Sequence, residues 1–120
     1  MTLRIDATSF GSITIAGKKI ENDVILRLDG SVEKRQKKLS KKVYGTSHTI
    51  SLEEARYVYE KGAEMLIIGA GQNKLVGLSS EAKEYLSKKG CRVKIMTTSE
   101  AIRAWNKGGE NVIGLFHVTC

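Results

Sequence analysis

A chain of 120 residues with 41% hydrophobic and 28% charged residues has the make-up of one folded domain, which excludes a disordered or fibrous chain. No apolar run approaches the roughly 18–20 residues that cross a bilayer, and residues 1–6 lack a signal-peptide layout, so one cytoplasmic domain over 1–120 is expected. The net charge of +7 is local: Lys34, Arg35, Lys37, Lys38, Lys41 and Lys42 lie within nine residues, and removing these six from the 20 basic residues leaves 14 against 13 acidic ones.

The first third reads as β. Residues 12–15 alternate polar and apolar, Ala16-Gly17 is a turn signal, and Lys18-Lys19-Ile20 returns. Val24, Leu26 and Leu28 alternate down a second strand to Asp29-Gly30, a strong hairpin turn. Ser31-Val32-Glu33 starts the return and runs into the basic cluster, which reads as a solvated loop or lysine-protected edge strand. The chain has no proline, so Gly, Asn and Asp must supply the turns.

The remainder alternates helix and strand. Ser51 with Glu54 predicts a capping box ahead of a helix over 52–61, ended by Gly62. A buried strand over 65–68 follows and feeds directly into Gly69-Ala70-Gly71. Ser80 caps a helix over 81–89, Arg92-Val93-Lys94-Ile95-Met96 alternates as a strand, and Ser99 caps a helix over 100–107 with Trp105 toward the core. A last strand covers 112–118. Strand, helix, strand, helix, strand implies parallel crossovers. Added to the β meander, they give an α/β fold of three layers: helices, a central mixed sheet and an extra β layer.

Three places carry candidate chemistry. Gly69, Gly71 and Lys74 sit where open α/β sheets bind ligands, and backbone amides there could cradle an anion. The loop lacks both the dinucleotide-binding and the P-loop patterns, and a plain structural turn is the first reading of the glycines, ahead of an anion site. Tyr44, Thr46, Ser47 and His48 surround Gly45. His48 suits proton transfer near neutral pH, but no carboxylate stands near in sequence to orient it, and the first reading is a loop whose hydroxyls and imidazole bond to backbone just before the helix at Ser51. The basic segment 34–42 can meet an acidic protein, a nucleic-acid backbone or only solvent; seven aromatics in the chain, with Tyr44 alone beside the lysines, offer few stacking platforms. His117 reads as a structural histidine. Cys91 and Cys120 read as a small half-buried thiol and a frayed one, and with two histidines and no ligand spacing they argue against a zinc site.

Phe10-Gly11-Ser12-Ile13, Asp29-Gly30-Ser31-Val32, the basic stretch ending in Tyr44-Gly45-Thr46-Ser47-His48, Ile67-Ile68-Gly69-Ala70-Gly71 and Met96-Thr97-Thr98 together carry a resemblance over nearly the whole chain. The sequence resembles a small, largely uncharacterised family of archaeal and bacterial hypothetical proteins, which also includes a mitochondrial complex I assembly factor and an adipogenesis-associated human protein. The resemblance implies a central mixed five-stranded sheet with one antiparallel strand, and it implies no established enzyme activity or cofactor. Many relatives carry a tryptophan-containing basic stretch running directly into Gly-His; here Val43-Tyr44 stand at that place and Thr46-Ser47 separate Gly45 from His48.

The leading expectation is a non-enzymatic binding or assembly module whose basic segment docks an acidic protein partner. The alternative is a small-molecule or anion binder, or an enzyme, with a pocket between the loops 44–48 and 69–74 and His48 as acid or base. Nucleic-acid binding through the lysines is the second alternative, and homo-oligomerisation is compatible with an open sheet edge.

Overall fold

The structure is a computed structural model that describes residues 3–119; Met1, Thr2 and the thiol of Cys120 lie outside the described residues. Strands β1 (Ile5–Ser9), β2 (Ser12–Ile15) and β3 (Lys18–Ile20) form an antiparallel sheet. β2 turns into β3 through Ala16 and Gly17, both with positive φ (50° and 80°), the backbone twist that suits a two-residue hairpin. β1 adds to the strands that alternation alone marks.

β4 (Val24–Leu26) and β5 (Val32–Lys34) pair across the expected Asp29-Gly30 turn. The basic segment then departs from expectation: residues Lys38–Tyr44 form a helix, α1, instead of a loop or edge strand. Its first turn has neither an acidic residue nor a side-chain cap, so the local signals that announce a helix are missing. Tertiary bonds described below fix it.

A short β6 (Thr49–Ile50) leads into α2 (Leu52–Val58), β7 (Met65–Ala70), β8 (Gly77–Leu78), α3 (Ser80–Lys88), β9 (Arg92–Met96), α4 (Thr98–Asn106) and β10 (Val112–His117). The central sheet runs β5-β4-β10-β7-β9. β10, β7 and β9 are mutually parallel and β4 is antiparallel to both its neighbours, so β4 is the one reversed strand of five. β6 and β8 pair in parallel beside it.

The helix boundaries shift for identifiable reasons. Ser79, not Ser80, caps α3, its side chain accepting from Ala82 N. Thr97, not Ser99, caps α4, in a full capping box with Glu100. The box expected at Ser51 and Glu54 forms only by half. Ser51 accepts from Glu54 N, but the Glu54 carboxylate is taken by Arg35. α2 stops early because Tyr59 turns extended, with ψ at 141°.

Each strand of the central sheet sends alternate residues to opposite faces. Ile25, Leu66, Ile68, Ile113 and Leu115 pack with α2 and α3. Val24, Leu26, Ile67 and Phe116 pack with α4 and the three-stranded sheet. The expected third layer is therefore a β layer shared with α4. The crossover rule accounts for this: the chain moves outward from β7 to β9 through α3 and back past β7 to β10 through α4, and two crossovers of one hand in opposite directions put their helices on opposite faces. Gly114 permits the α4 contact, because a Cβ there would stand 2.6 Å from the Phe116 ring and 3.1 Å from that of Trp105. Trp105 is buried as expected and donates its indole N–H to Leu3 O at 2.6 Å. No helix among the described residues is long and apolar enough to cross a membrane.

Candidate functional site

The carboxyl ends of β7 and β10 lie side by side, with His117 in register with Ala70. The expected anion cradle sits here, and its amides are engaged. Gly71 N donates to Thr98 Oγ1 at 2.9 Å, and Gln72 N donates to Thr119 O at 2.8 Å. Gly69 is a matter of space: a Cβ would meet Phe116 at 2.9 Å and the Thr98 backbone at 3.2 Å. Gly71 serves the turn with φ at 96°, and Lys74 is exposed. The glycine loop is thus tied to the N-terminus of α4 through Thr98, which also donates to His117 O at 2.6 Å.

The loop 44–48 adjoins this end of the sheet. His48 O accepts from Gly77 N at 2.8 Å, which starts the β6–β8 pairing. Thr46 Oγ1 accepts from His48 N, a local backbone bond of the kind its sequence suggests. The His48 ring stands edge-on to His117, with centroids 5.8 Å apart. Ser47 is buried and its carbonyl faces Arg35. Tyr44 is exposed at the end of α1.

What joins these loops is an ion network that the sequence reading does not single out. Arg35, expected in the solvated basic patch, is buried. Its Nε donates to Glu54 Oε2 at 2.6 Å, Nη2 to Glu54 Oε1 at 3.1 Å and to Ser47 O at 2.7 Å, and Nη1 to Asp23 Oδ2 at 3.0 Å. A planar guanidinium suits this role because its fork matches a carboxylate bidentately. Ser40, on α1, donates to Glu54 and accepts from Ser51 N, so the network holds α1 against the start of α2.

Asp23 sits at the centre of a second set of donors. Oδ1 accepts from Val118 N at 2.9 Å, and Oδ2 lies 2.6 Å from His117 Nδ1 and 3.6 Å from Lys37 Nζ. Burial works to raise the Asp23 carboxyl. The hydrogen bond and charge of His117, the Val118 amide and Lys37 outweigh it and hold the group at about 2, below the usual 3.8. His117 is 1% exposed and its Nε2 lies 3.0 Å from Thr119 Oγ1.

The pairing that makes this network could be found in the sequence. Asp23 and Arg35 stand equally far from Asp29, so a hairpin centred there puts them opposite each other. Arg35 N donates to Asp23 O at 3.0 Å, extending the Val24–Lys34 register by one pair. Glu54 and His117 carry no such local signal, since both reach the network only through the tertiary fold.

The rest of the basic segment stays outside. Lys37 leans on Asp23, and Lys42 pairs with Glu53 at 2.6 Å on the surface. Lys34, Lys38 and Lys41 are exposed, with no carboxylate partner among the described residues. A groove of ≈ 570 Å³ opens beside them, bounded by Gly11, Asp23, Lys34, Lys37, Lys38 and Thr119. Among the described residues no group of three or more His, Cys, Asp and Glu side chains is placed to hold a metal ion. Cys91 is buried and free, and its burial pushes the thiol up from its usual range.

These features define a small three-layer α/β protein in which a mixed five-stranded sheet closes over a buried ion network at the carboxyl ends of its parallel strands. The chain belongs to the family described as protein of unknown function (DUF498/DUF598), whose model matches residues 5–117. It is similar to the conserved hypothetical protein PH1505 from Pyrococcus horikoshii OT3, with 30% identity, coverage of 98% of this chain and 99% of that one, and a TM-score of 0.88. It is similar to MT938 at 32% identity, again over 98% and 99% of the two chains, with a TM-score of 0.80. A protein from Bordetella parapertussis shares the fold at 19% identity, over 97% of this chain and 95% of that one, with a TM-score of 0.74.

Proposed function

We propose that this protein is a binding or assembly module that docks an acidic protein segment on the outer face of α1 and the groove beside it. The observation that carries the reading is the composition of that face. α1 has no acidic residue in its first turn, and Lys38, Lys41, Val43 and Tyr44 are all exposed, with Lys34 flanking. Cations around exposed apolar side chains suit an acidic segment that also brings hydrophobic anchors. The resemblance to a family with a complex I assembly factor among its members favours the same class of role. Arg35 takes no part in docking, because its charge is spent on Glu54 and Asp23.

The test is affinity capture on the tagged full chain from its host lysate, with and without nuclease, for the native sequence and for the triple variant Lys34→Glu, Lys38→Glu, Lys41→Glu. The reading predicts a stoichiometric acidic protein that survives nuclease and is lost from the variant, while the thermal midpoint of the variant is kept. Retention of that partner by the variant contradicts the reading, and capture that vanishes with nuclease replaces it with nucleic-acid binding.

A further inference from the structure

The Asp23 carboxylate is surrounded by donors: Val118 N–H, the Arg35 guanidinium and the Lys37 ammonium. It can only accept from His117, so Nδ1 carries the proton of that 2.6 Å bond. In the neutral ring the lone pair then lies on Nε2, 3.0 Å from Thr119 Oγ1, and the Thr119 hydroxyl donates to it. His117 is sealed from solvent, whereas Thr119 is part-exposed and lines the groove with Lys34, Lys37 and Lys38. A hydroxyl, an imidazole that accepts its proton and a carboxylate that orients the imidazole are the three roles of an activated nucleophile, and they are recognised by geometry rather than chain order.

The loop after β7 meets the same residue: Gln72 N donates to Thr119 O at 2.8 Å, which ties down the main chain that carries the hydroxyl.

We infer that Thr119, His117 and Asp23 form a nucleophilic site that accepts acyl groups from activated esters bearing a negative charge. Thr119 Oγ attacks the ester carbonyl and its proton passes to His117 Nε2. The bond from Oγ to the acyl carbon forms, the bond to the leaving oxygen breaks, and the leaving alcohol takes the proton from Nε2. Water then attacks acyl-Thr119 by the same route, releases the carboxylic acid and restores the hydroxyl. Asp23 is the positioning residue: it fixes the ring tautomer and stabilises the imidazolium that forms. The groove lysines attract the anionic end of the ester. The groove lysines Lys34 and Lys38 are shared with the proposed docking face, whereas neither Lys41, Val43 nor Tyr44 touches the relay, so acylation of Thr119 is read separately from capture of a partner.

The test treats the full chain with 4-nitrophenyl hydrogen succinate, follows nitrophenolate release, and maps the acyl group by peptide mass spectrometry. The native protein should release nitrophenolate and carry the succinyl group on Thr119. Thr119→Ala should lose that release by about 100-fold, the scale of a positioned general base. Thr119→Ser, which keeps a hydroxyl, should retain both the release and the label at residue 119. Asp23→Asn should slow acylation while Thr119 stays the labelled position. Equal release by the native protein and Thr119→Ala, or a label confined to lysines, overturns the proposal.

Discussion

Two halves of one basic segment meet opposite fates. Arg35 ends β5's hairpin opposite Asp23 and is buried between two carboxylates, whereas Lys38 and Lys41, a few residues on, lie in solvent on α1. In sequence the two are alike: six cations in a run. The difference comes from geometry, since the strand's register selects one side chain for the interior and the helix turns the others out. A charge run therefore does not describe a surface until its secondary structure is known.

Removing the buried half should have the larger effect. Arg35→Met leaves Glu54 and Asp23 without their shared partner in the interior, and loss of one member of a buried pair costs about 3–5 kcal/mol. Urea denaturation should show a lowered midpoint on that scale. A change below about 0.5 kcal/mol, the size expected of a surface substitution, would erase the distinction between the halves.

Acid sharpens the same comparison. The folded Asp23 titrates at about 2 and the unfolded one near 3.8. A depressed folded pKa contributes stability that is complete above the unfolded value and lost as pH falls from 3.8 toward 2. The difference corresponds to about 2 kcal/mol. Comparing the urea midpoints of the native protein and Asp23→Asn between pH 5 and about 2 checks it: the stability advantage of the native chain should shrink by that amount across this window, and an advantage that is constant with pH would place Asp23 outside the network.

The sequence displays most of the fold because its signals are local. Alternation marks β2, β4 and β9, Ala16-Gly17 and Asp29-Gly30 mark hairpins, and serines or threonines with glycines bracket α2, α3 and α4 to within a few residues. α1 escapes this reading because nothing local announces it, and bonds from Ser40 to Glu54 and Ser51, on the next helix and its cap, hold it in place. The candidate site is less legible for the same reason. The loops of His48 and Gly71 do adjoin, yet the groups with the most specific geometry are Asp23, His117 and Arg35, drawn from three strands or strand ends. Both ring nitrogens of His117 have partners, Asp23 and Thr119. Its partner Asp23 lies 94 residues away along the chain, so no local spacing reveals the pair.

The most direct test of the divided segment is chemical labelling of the folded chain, read by peptide mass spectrometry, with phenylglyoxal for arginine and an N-hydroxysuccinimide ester for lysine. Lys34, Lys38 and Lys41 should label readily, and Arg35 should stay unmodified until the protein is unfolded, while the exposed Arg4 and Arg92 react in the native state. Modification of native Arg35 at the rate of Arg4 and Arg92 would contradict the account, returning Arg35 to the surface patch and leaving Glu54 without its buried partner.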